Sequence, residues 1–354
     1  MRRFRLIPTL LPLALSTLLW QGCGVSRDED SPSCPETDSR VIAFDIDSNS
    51  GRWSAASRGD GTGVTTTANI RDFRVSAFTD DQWGGQEILM DSVTVRRTGV
   101  NTWTYSPTVE WPDKNVDFYA VSPAWVPFHE NRWWAHYIDY ASTDCETDLL
   151  IATRIGVHQT SGTLRLNFRH TLARVSVSLQ STRTDIRVEV CRVSLHDIGL
   201  SGRFIYRNVT TSPETNRGEL FDQWSVYNLS ATRLVLFDSS SKGVQPLVLT
   251  RELVDPCPTD KFLIPVTFTR LNTDNGYVAG SRIEVVCRLV DTATGAVIWP
   301  DSSTHYLLQS RDYPGYGIAM FSLSSTTPDG HWLPGVDYRY SLTIDNTPAL
   351  PRLD

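Results

Sequence analysis

The sequence predicts an all-β fold, and three observations lead to that prediction. Apolar and polar residues alternate along many short segments, as in residues 73–79, where Phe73, Val75 and Ala77 would share one face of a strand. This period of two is typical of half-buried β-strands. Clusters of Gly, Asn, Asp and Ser separate the segments, and no helical periodicity follows the apolar run near the N-terminus. Many short strands divided by turn residues favour antiparallel sandwiches over a parallel sheet.

The predicted strands share this alternation and are rich in β-branched residues. They cover residues 41–47, 73–79, 116–123, 164–168, 173–180, 186–195, 233–237, 245–250, 261–269, 282–290 and 338–344. A polar break at residues 180–185 separates two of the strongest strands. We therefore expect an N-terminal domain over residues 41–182 and a C-terminal domain over residues 183–354, both of ordinary domain size.

The composition of the chain argues against nucleic acid as a partner and for a sizeable core. The 354 residues include 33 Lys and Arg against 40 Asp and Glu, which gives a net charge of −7. Because no long basic run is present, we do not expect binding to nucleic acid. The hydrophobic fraction of 40% is ample for globular domains.

The first 22 residues have the order of a secretory signal peptide. A basic segment at residues 2–5 precedes an apolar run at residues 6–20, which is shorter than the roughly 20 apolar residues of a spanning helix. Gly22 then precedes Cys23, and this arrangement resembles the lipobox of bacterial lipoproteins. The resemblance implies cleavage before Cys23 and lipidation of that residue. The alternative is an ordinary cleaved signal followed by an incidental cysteine.

An acidic segment follows the predicted lipidation site. Residues 26–30 read SRDED, and we expect residues 23–40 to form an acidic tether between the lipid and the first strand. Two or more acyl chains hold a protein stably on a bilayer. Acidic residues just after the cysteine also resemble the export signal of surface lipoproteins. This resemblance implies a lipid anchor in the cell outer membrane and exposure at the cell surface.

No motif for catalysis, cofactor binding or metal binding stands out. The sequence has no P-loop, no G-x-G-x-x-G after a strand, no G-x-S-x-G and no C-x-x-C. The seven histidines form neither an i, i+4 pair on a helix nor an H-x-H pair on a strand. We therefore expect no enzyme activity, no cofactor and no metal. A metal site built from distant residues and a pair of glycosidase carboxylates stay open as alternatives.

Disulfide bonds are compatible with an exported protein but cannot be assigned from spacing. The six cysteines are Cys23, Cys34, Cys145, Cys191, Cys257 and Cys287. If Cys23 carries lipid, five remain, so that one or two pairs can form. Cys191 and Cys287 lie in apolar alternating runs, where each would serve as a small buried hydrophobe.

The densest aromatic stretch covers residues 125–137 and reads WVPFHENRWWAHY. Exposed aromatic rings at these positions could stack on sugar rings and so bind glycans. Aromatic side chains on strands and loops also fill sandwich cores, where they bury a large area. The sequence favours core packing and leaves a glycan platform as the alternative.

Five segments, taken in order, share the pattern of one known family. They are residues 57–78, 116–125, 148–180, 262–268 and 337–344. In the third segment, an apolar-x-Phe-x-His-x-Leu-x-x-apolar strand is matched by Leu166, Phe168, His170, Leu172 and Val175. Over nearly all of its mature length the chain resembles the fimbrillin-like proteins of type V pili.

The resemblance implies an architecture and a route of assembly. The fold would be two tandem transthyretin-like antiparallel β-sandwich domains behind a lipoprotein signal peptide. A protease would cut after an arginine that follows the first strand, and another pilus subunit would donate a strand into the freed groove. Arg58 is the first candidate for this maturation site, and Arg52 and Arg71 are the others. His170 would be a packed strand residue, and residues 346–354 would make a poor donor strand.

These observations predict a structural and adhesive subunit of a surface fimbrium. Its partners would be other pilus subunits, the outer-membrane lipid anchor, and glycans or proteins on host or bacterial surfaces. The alternative is a surface glycan-binding lipoprotein that uses the aromatic residues at 125–137. In that case the strand at residues 41–47 would be the permanent first strand of a monomeric sandwich.

Overall fold

The computed structural model describes the chain over nine stretches, and the fold and contacts below refer to them. They are residues 40–47, 54–55, 70–80, 85–130, 136–206, 220–229, 232–241, 243–273 and 276–349. Their regular secondary structure is almost entirely β, as the sequence predicts, with a four-residue α-helix and two short 3-10 helices near the C-terminal end. In the described part of the chain, no helix has the length and apolar character needed to cross a bilayer.

The strands are numbered in chain order. They are β1 (Ala43–Ile46), β2 (Ser54–Ala55), β3 (Asp72–Asp80), β4 (Gln86–Gly99), β5 (Thr102–Thr104), β6 (Val116–Ser122), β7 (Tyr137–Ala141), β8 (Leu150–Val157), β9 (Thr163–Leu166), β10 (Arg169–His170), β11 (Ala173–Gln180), β12 (Ile186–His196), β13 (Ser201–Ile205), β14 (Trp224–Tyr227), β15 (Arg233–Asp238), β16 (Leu247–Val248), β17 (Lys261–Leu263), β18 (Arg282–Asp291), β19 (Val297–Trp299), β20 (Gly317–Ser322) and β21 (Val336–Thr343). The helix α1 (Leu323–Thr326) follows β20, and the 3-10 helices are Tyr306–Leu308 and Pro328–Gly330.

The N-terminal half is built on a six-stranded sheet in the order β10-β8-β6-β3-β4-β5. A second, two-stranded sheet of β1 and β9 contributes to the same core. Phe73, Val75 and Ala77 are fully buried in this core, which confirms the face predicted from the alternation in β3. The two large rings of Trp111 and Phe118 are buried with them, because apolar burial is the main favourable term in folding.

A third, three-stranded sheet in the order β14-β13-β7 forms a separate core with other residues of the six-stranded sheet. Phe78, Val121 and Ile151 of the six-stranded sheet pack in one cluster with Ile138 and Phe204 of the three-stranded sheet. Phe78 stands next to the inward-facing Ala77 in β3, where the pairing with β4 is irregular. The six-stranded sheet therefore contributes to two cores.

Two sheets, formed mostly by the C-terminal half of the chain, surround the largest core. One has the order β15-β12-β18-β19, with β16 and β20 also attached, and the other has the order β17-β11-β21-β2. Trp299 and Trp332 are buried between them. A side-chain carbon at Gly317 would lie 2.2 Å from the indole of Trp299, so this close approach of backbone to ring requires glycine.

Most strand pairs are antiparallel, but in the described chain β1 pairs with β9, β11 with β21, and β2 with β21 in parallel. The strands on either side of the polar break at residues 180–185, β11 and β12, lie in different sheets and pack into the same core. The division into domains over residues 41–182 and 183–354 stays a prediction.

Candidate functional site: the groove around the first strand

The first strand and the residues just before it are bonded to two different parts of the chain. Along one edge β1 pairs in parallel with β9, and the N–H of Asp47 donates to the carbonyl of Leu166 at 2.8 Å. Before β1 begins, the N–H of Ile42 donates to the carbonyl of Val109 at 2.8 Å, in an antiparallel bridge. The segment is therefore held by β9 along β1 and by a single bridge just before it, with no covalent crosslink among the described residues.

The side chains of this segment fill a groove in the N-terminal core. Ile42 is fully buried and Phe44 is 4% exposed. The ring of Phe44 makes edge contacts with Tyr105, Phe73 and Phe118 at centroid distances of 5.4, 5.8 and 6.5 Å. Each such buried side chain stabilises the fold by about 1.5–3 kcal/mol. Removal of the strand would leave an apolar groove lined by these three rings.

A tyrosine hydroxyl fastens the backbone of the same segment. The Tyr105 hydroxyl donates to the carbonyl oxygen of Ile42 at 2.7 Å and accepts from the N–H of Val109 at 3.3 Å. Burial raises the pKa of Tyr105, and the contact with Val109 lowers it less, so the phenol stays protonated and able to donate. Because the acceptor is a backbone carbonyl, any residue in the position of Ile42 could accept this bond.

Ion pairs at the rim of the groove contribute little. Asp45 lies 3.5 Å from the Arg165 guanidinium, and Arg40 lies 3.3 Å from Asp113. These side chains are mostly exposed, apart from a half-buried Asp45, and exposed pairs of this kind are worth about 0–1 kcal/mol. Burial of Ile42 and Phe44 therefore dominates the attachment of the strand.

An open cleft lies beside β1. The cleft has a volume of about 700 Å³ and is lined by residues of β1, β5, β8 and β9 and by Asn101. In the described residues, β1 forms a strand ladder with β9 only. The first strand is thus less fully paired than the central strands of the neighbouring sheet, each of which has two partners.

The predicted modification sites fall outside the part of the chain that the structure describes. This holds for Cys23, for Arg58 and for Arg52. Arg71 is described, and its carbonyl accepts a 2.9 Å hydrogen bond from the N–H of Arg97. Backbone fixed in this way is less accessible to a protease than an open loop.

The aromatic stretch at residues 125–137 is divided between core and surface. Phe128 and His136 are buried, whereas Trp125 is 61% exposed. Trp133 and Trp134 lie outside the described residues. A single exposed ring is ordinary on a protein surface, so Trp125 alone does not define a glycan platform.

The other candidate side chains occupy structural positions. His170 is buried in β10 and pairs with the carboxylate of Asp148. Cys145, Cys191, Cys257 and Cys287 are free thiols. Among the described residues, no cluster of three or more His, Cys, Asp or Glu has the arrangement of a metal site.

Sequence reasoning missed a buried polar cluster on β12 and β18. The Nε2 atom of His196 lies 3.0 Å from the Ser194 hydroxyl and also 3.0 Å from the Glu284 carboxylate. A serine–histidine–acid relay uses the two different ring nitrogens, and here both partners meet the same one. Ser194 is also fully buried, so this cluster lacks the geometry of an acyl-transfer site. The polar residues of this cluster occupy alternate positions along their strands. In the sequence, that pattern is the same as that of a strand face exposed to solvent.

Comparison with known families identifies the chain. A family model described as fimbrillin-like matches residues 57–252. The chain belongs to the fimbrillin-like family. No curated protein matches this fimbrillin-like protein significantly by sequence.

Solved structures resemble this fimbrillin-like protein along most of its length. A fimbrial protein from Bacteroides vulgatus ATCC 8482 has a TM-score of 0.50 and 13% identity, covering 86% of this chain and 95% of its own. A protein of proposed cell-adhesion function from Parabacteroides distasonis ATCC 8503 has a TM-score of 0.45 and 10% identity, with 89% and 93% coverage. Another from Bacteroides uniformis ATCC 8492 has a TM-score of 0.43 and 14% identity, with 86% and 93% coverage. At this identity, the first structure supports the fold.

Proposed function

We propose that this fimbrillin-like protein is a subunit of a cell-surface fimbrium, joined to its neighbour by donation of a β-strand into the groove that β1 fills. Membership of the family supports a fimbrial or adhesive role. The observation that carries strand donation is the burial of Ile42 and Phe44 on a segment held without any covalent crosslink in the described chain. A strand from another subunit would restore the same ladder and the same buried side chains.

Maturation would cut the chain after Arg58. The cut would leave β1 and β2 together on the released segment, although they pair with different sheets, β1 with β9 and β2 with β21. Release of β1 would therefore leave β9 without its partner strand. Release of β2 would leave a longer part of the edge of β21 unpaired. Arg71 is a poorer site because its backbone is bonded to β4.

The precursor would be a lipoprotein carried to the outer membrane by acylation of Cys23. The acidic tether over residues 23–40 would separate the lipid from the folded domains. After the cut at Arg58, the lipid would leave with the released segment, so the mature subunit would be held by its neighbours. A structural role of this kind needs no catalytic residue and no cofactor.

N-terminal sequencing of protein recovered from the surface of expressing cells tests maturation. The N-terminus of the assembled subunit should be Gly59 in the wild type. In the Arg58→Ala variant the N-terminus should stay at Cys23, and the protein should remain outside fimbriae. Arg52→Ala serves as the matched control and should mature normally. An N-terminus at Cys23 in assembled fimbriae would contradict the proposal and favour a monomeric surface protein that binds glycans.

Labelled palmitate tests the lipid anchor separately. The wild-type precursor should incorporate the label and fractionate with membranes, and Cys23→Ser should do neither. Cys34→Ser is the matched control, since it removes a nearby cysteine that the lipobox does not include. Full incorporation in the Cys23→Ser variant would reject lipidation at this residue.

A further inference from the structure

We propose that the groove selects its donor strand by an aromatic anchor, and that the donor belongs to a different polypeptide. The donor would carry an aliphatic, an aromatic and an aliphatic residue at alternate positions and would run parallel to β9. This inference rests on the proposed strand donation and specifies its partner.

The anchor is the position of Phe44. Its ring is 4% exposed and is surrounded by the rings of Tyr105, Phe73 and Phe118, which belong to the body of the protein and would stay in place after β1 leaves. A smaller residue at this position would leave a cavity that these rings cannot fill without moving. Loss of a buried phenylalanine side chain is among the costliest of core truncations.

The backbone contacts fix the direction of the donor but not its sequence. The pairing runs from Ala43 with Thr163 to Ile46 with Leu166, so the occupant is parallel to β9. The Tyr105 hydroxyl bonds the carbonyl of Ile42, a group that every residue carries. Sequence selection therefore depends on the side chains that enter the core, at the positions of Ile42, Phe44 and the half-buried Ile46.

The chain itself offers no second strand of this kind. Apart from Ile42-Ala-Phe44-Asp-Ile46, none of the 354 residues belongs to a run in which Val, Ile or Leu stands two positions before and two after a Phe, Tyr or Trp. Among the runs that come close, Val116 and Phe118 of β6 are followed by Ala120, and Val235 and Phe237 of β15 are followed by Ser239. Within these 354 residues a second copy would offer only its own β1, and we therefore place the donor on another polypeptide.

Peptide exchange into the cut protein tests the inference. The full chain would carry a unique engineered protease site between residues 59 and 69, and after cleavage β1 would stay bound without a covalent link. Fluorescent peptides with the sequence of residues 40–47, RVIAFDID, would then compete for the groove. The matched peptides would carry Phe44→Ala or, as the control, Asp45→Asn, and a reversed peptide, DIDFAIVR, would retain the alternating pattern.

The parent and Asp45→Asn peptides should exchange with similar affinity, and the Phe44→Ala peptide should bind at least about a hundredfold more weakly. The reversed peptide should not exchange. If the Phe44→Ala or reversed peptide bound as well as the parent, the proposed selection would be wrong while strand donation would stand. If no peptide entered the cut protein, strand donation itself would fail. Self-assembly of the cut protein into polymers without added peptide would show that the donor is a second copy.

Discussion

Glu284 and His196 form a buried polar contact across two adjacent strands, with Glu284 Oε2 3.0 Å from His196 Nε2. The Arg282 guanidinium donates to the other oxygen of the same carboxylate, from Nε at 2.7 Å. Burial alone would raise the pKa of Glu284. The hydrogen bonds and positive charges of His196 and Arg282 outweigh it and lower the pKa to about 2. One buried carboxylate therefore contacts two neighbouring side chains of the sheet.

This pair predicts a loss of stability in acid. The unfolded chain takes up a proton on Glu284 near its ordinary pKa of 4.5, and the folded chain does so only near 2, so the unfolded state binds more protons between these values. The contribution of Glu284 to the free energy of unfolding should be complete above pH 4.5. It should decrease by about 3 kcal/mol as the pH falls to 2. Denaturant unfolding of the wild type and of Glu284→Gln at several pH values would measure this.

The Glu284→Gln variant should be less stable at pH 7, because the buried Arg282 guanidinium loses its closer carboxylate and keeps only Asp197, at 3.6 Å. Its acid slope should also be shallower. Glu87→Gln is the matched control, since Glu87 is exposed and lies 3.5 Å from Lys114. An acid slope that is identical in the wild type and Glu284→Gln would contradict the prediction.

The anchor of the first strand should dominate the stability of the N-terminal core. Phe44→Ala should lower the free energy of unfolding by about 3–5 kcal/mol, since a buried ring is replaced by a cavity. Asp45→Asn, on the next residue, should change it by less than about 1 kcal/mol because it alters only a rim ion pair with Arg165. Chemical denaturation of both variants tests the difference. Equal effects would mean that Phe44 is not an anchor.

The hydroxyl of Tyr105 should slow the departure of β1. Tyr105→Phe removes the bond to the Ile42 carbonyl and should cost about 1 kcal/mol, a typical net value for one hydrogen bond. In a chain cut after residue 58, the first strand should dissociate several-fold faster in this variant. Tyr277→Phe is the control, because Tyr277 is 58% exposed. Unchanged dissociation in Tyr105→Phe would place the hydroxyl outside the attachment of the strand.

Alternation of apolar and polar residues was enough to predict β1, β3, β11, β12 and β18, because these strands bury one face or both against a core. It did not predict β4, the longest strand in the described chain. There the pairing with β3 is irregular near Ala77, and Ser92 adopts a positive φ of 48°, so the period of two is broken. A bulge shifts the side chains from one face to the other, which conceals a strand from any pattern based on alternation.

The site was predictable in part for a similar reason. The alternation of Ile42 and Phe44 is visible in the sequence, and it places both side chains on one face. The parallel partner β9 follows more than 100 residues later, and alternation is the same for parallel and antiparallel pairs. The sequence pattern therefore could not identify the partner of β1 or its direction. The contribution of Tyr105 was not predictable either, because its hydroxyl bonds a backbone carbonyl that carries no sequence signal.

His136 supplies a second, independent pH dependence. Its ring is 2% exposed and stacks on Phe78 at a centroid distance of 4.3 Å, with Tyr119 at 4.6 Å. Its Nε2 atom lies 3.1 Å from the side-chain oxygen of Gln86, a neutral partner. Burial in this aromatic surrounding lowers the pKa of His136 from 6.5 to about 4.

Between pH 6.5 and 4, His136 would therefore bind a proton in the unfolded chain but not in the folded chain. The contribution of His136 to the free energy of unfolding is complete above pH 6.5. It should decrease as the pH falls from 6.5 to 4, with a slope of at most about 1.4 kcal/mol per pH unit. Titration of the His136 ring protons by NMR should give a midpoint near 4, with the resonance assigned by its loss in His136→Phe. That variant should also flatten the stability profile between pH 6.5 and 4, since it keeps an aromatic ring but has no group to protonate. A midpoint at or above 6.5, or an unchanged slope in His136→Phe, would show that the ring is accessible to water and that its burial does not govern the acid sensitivity of this core.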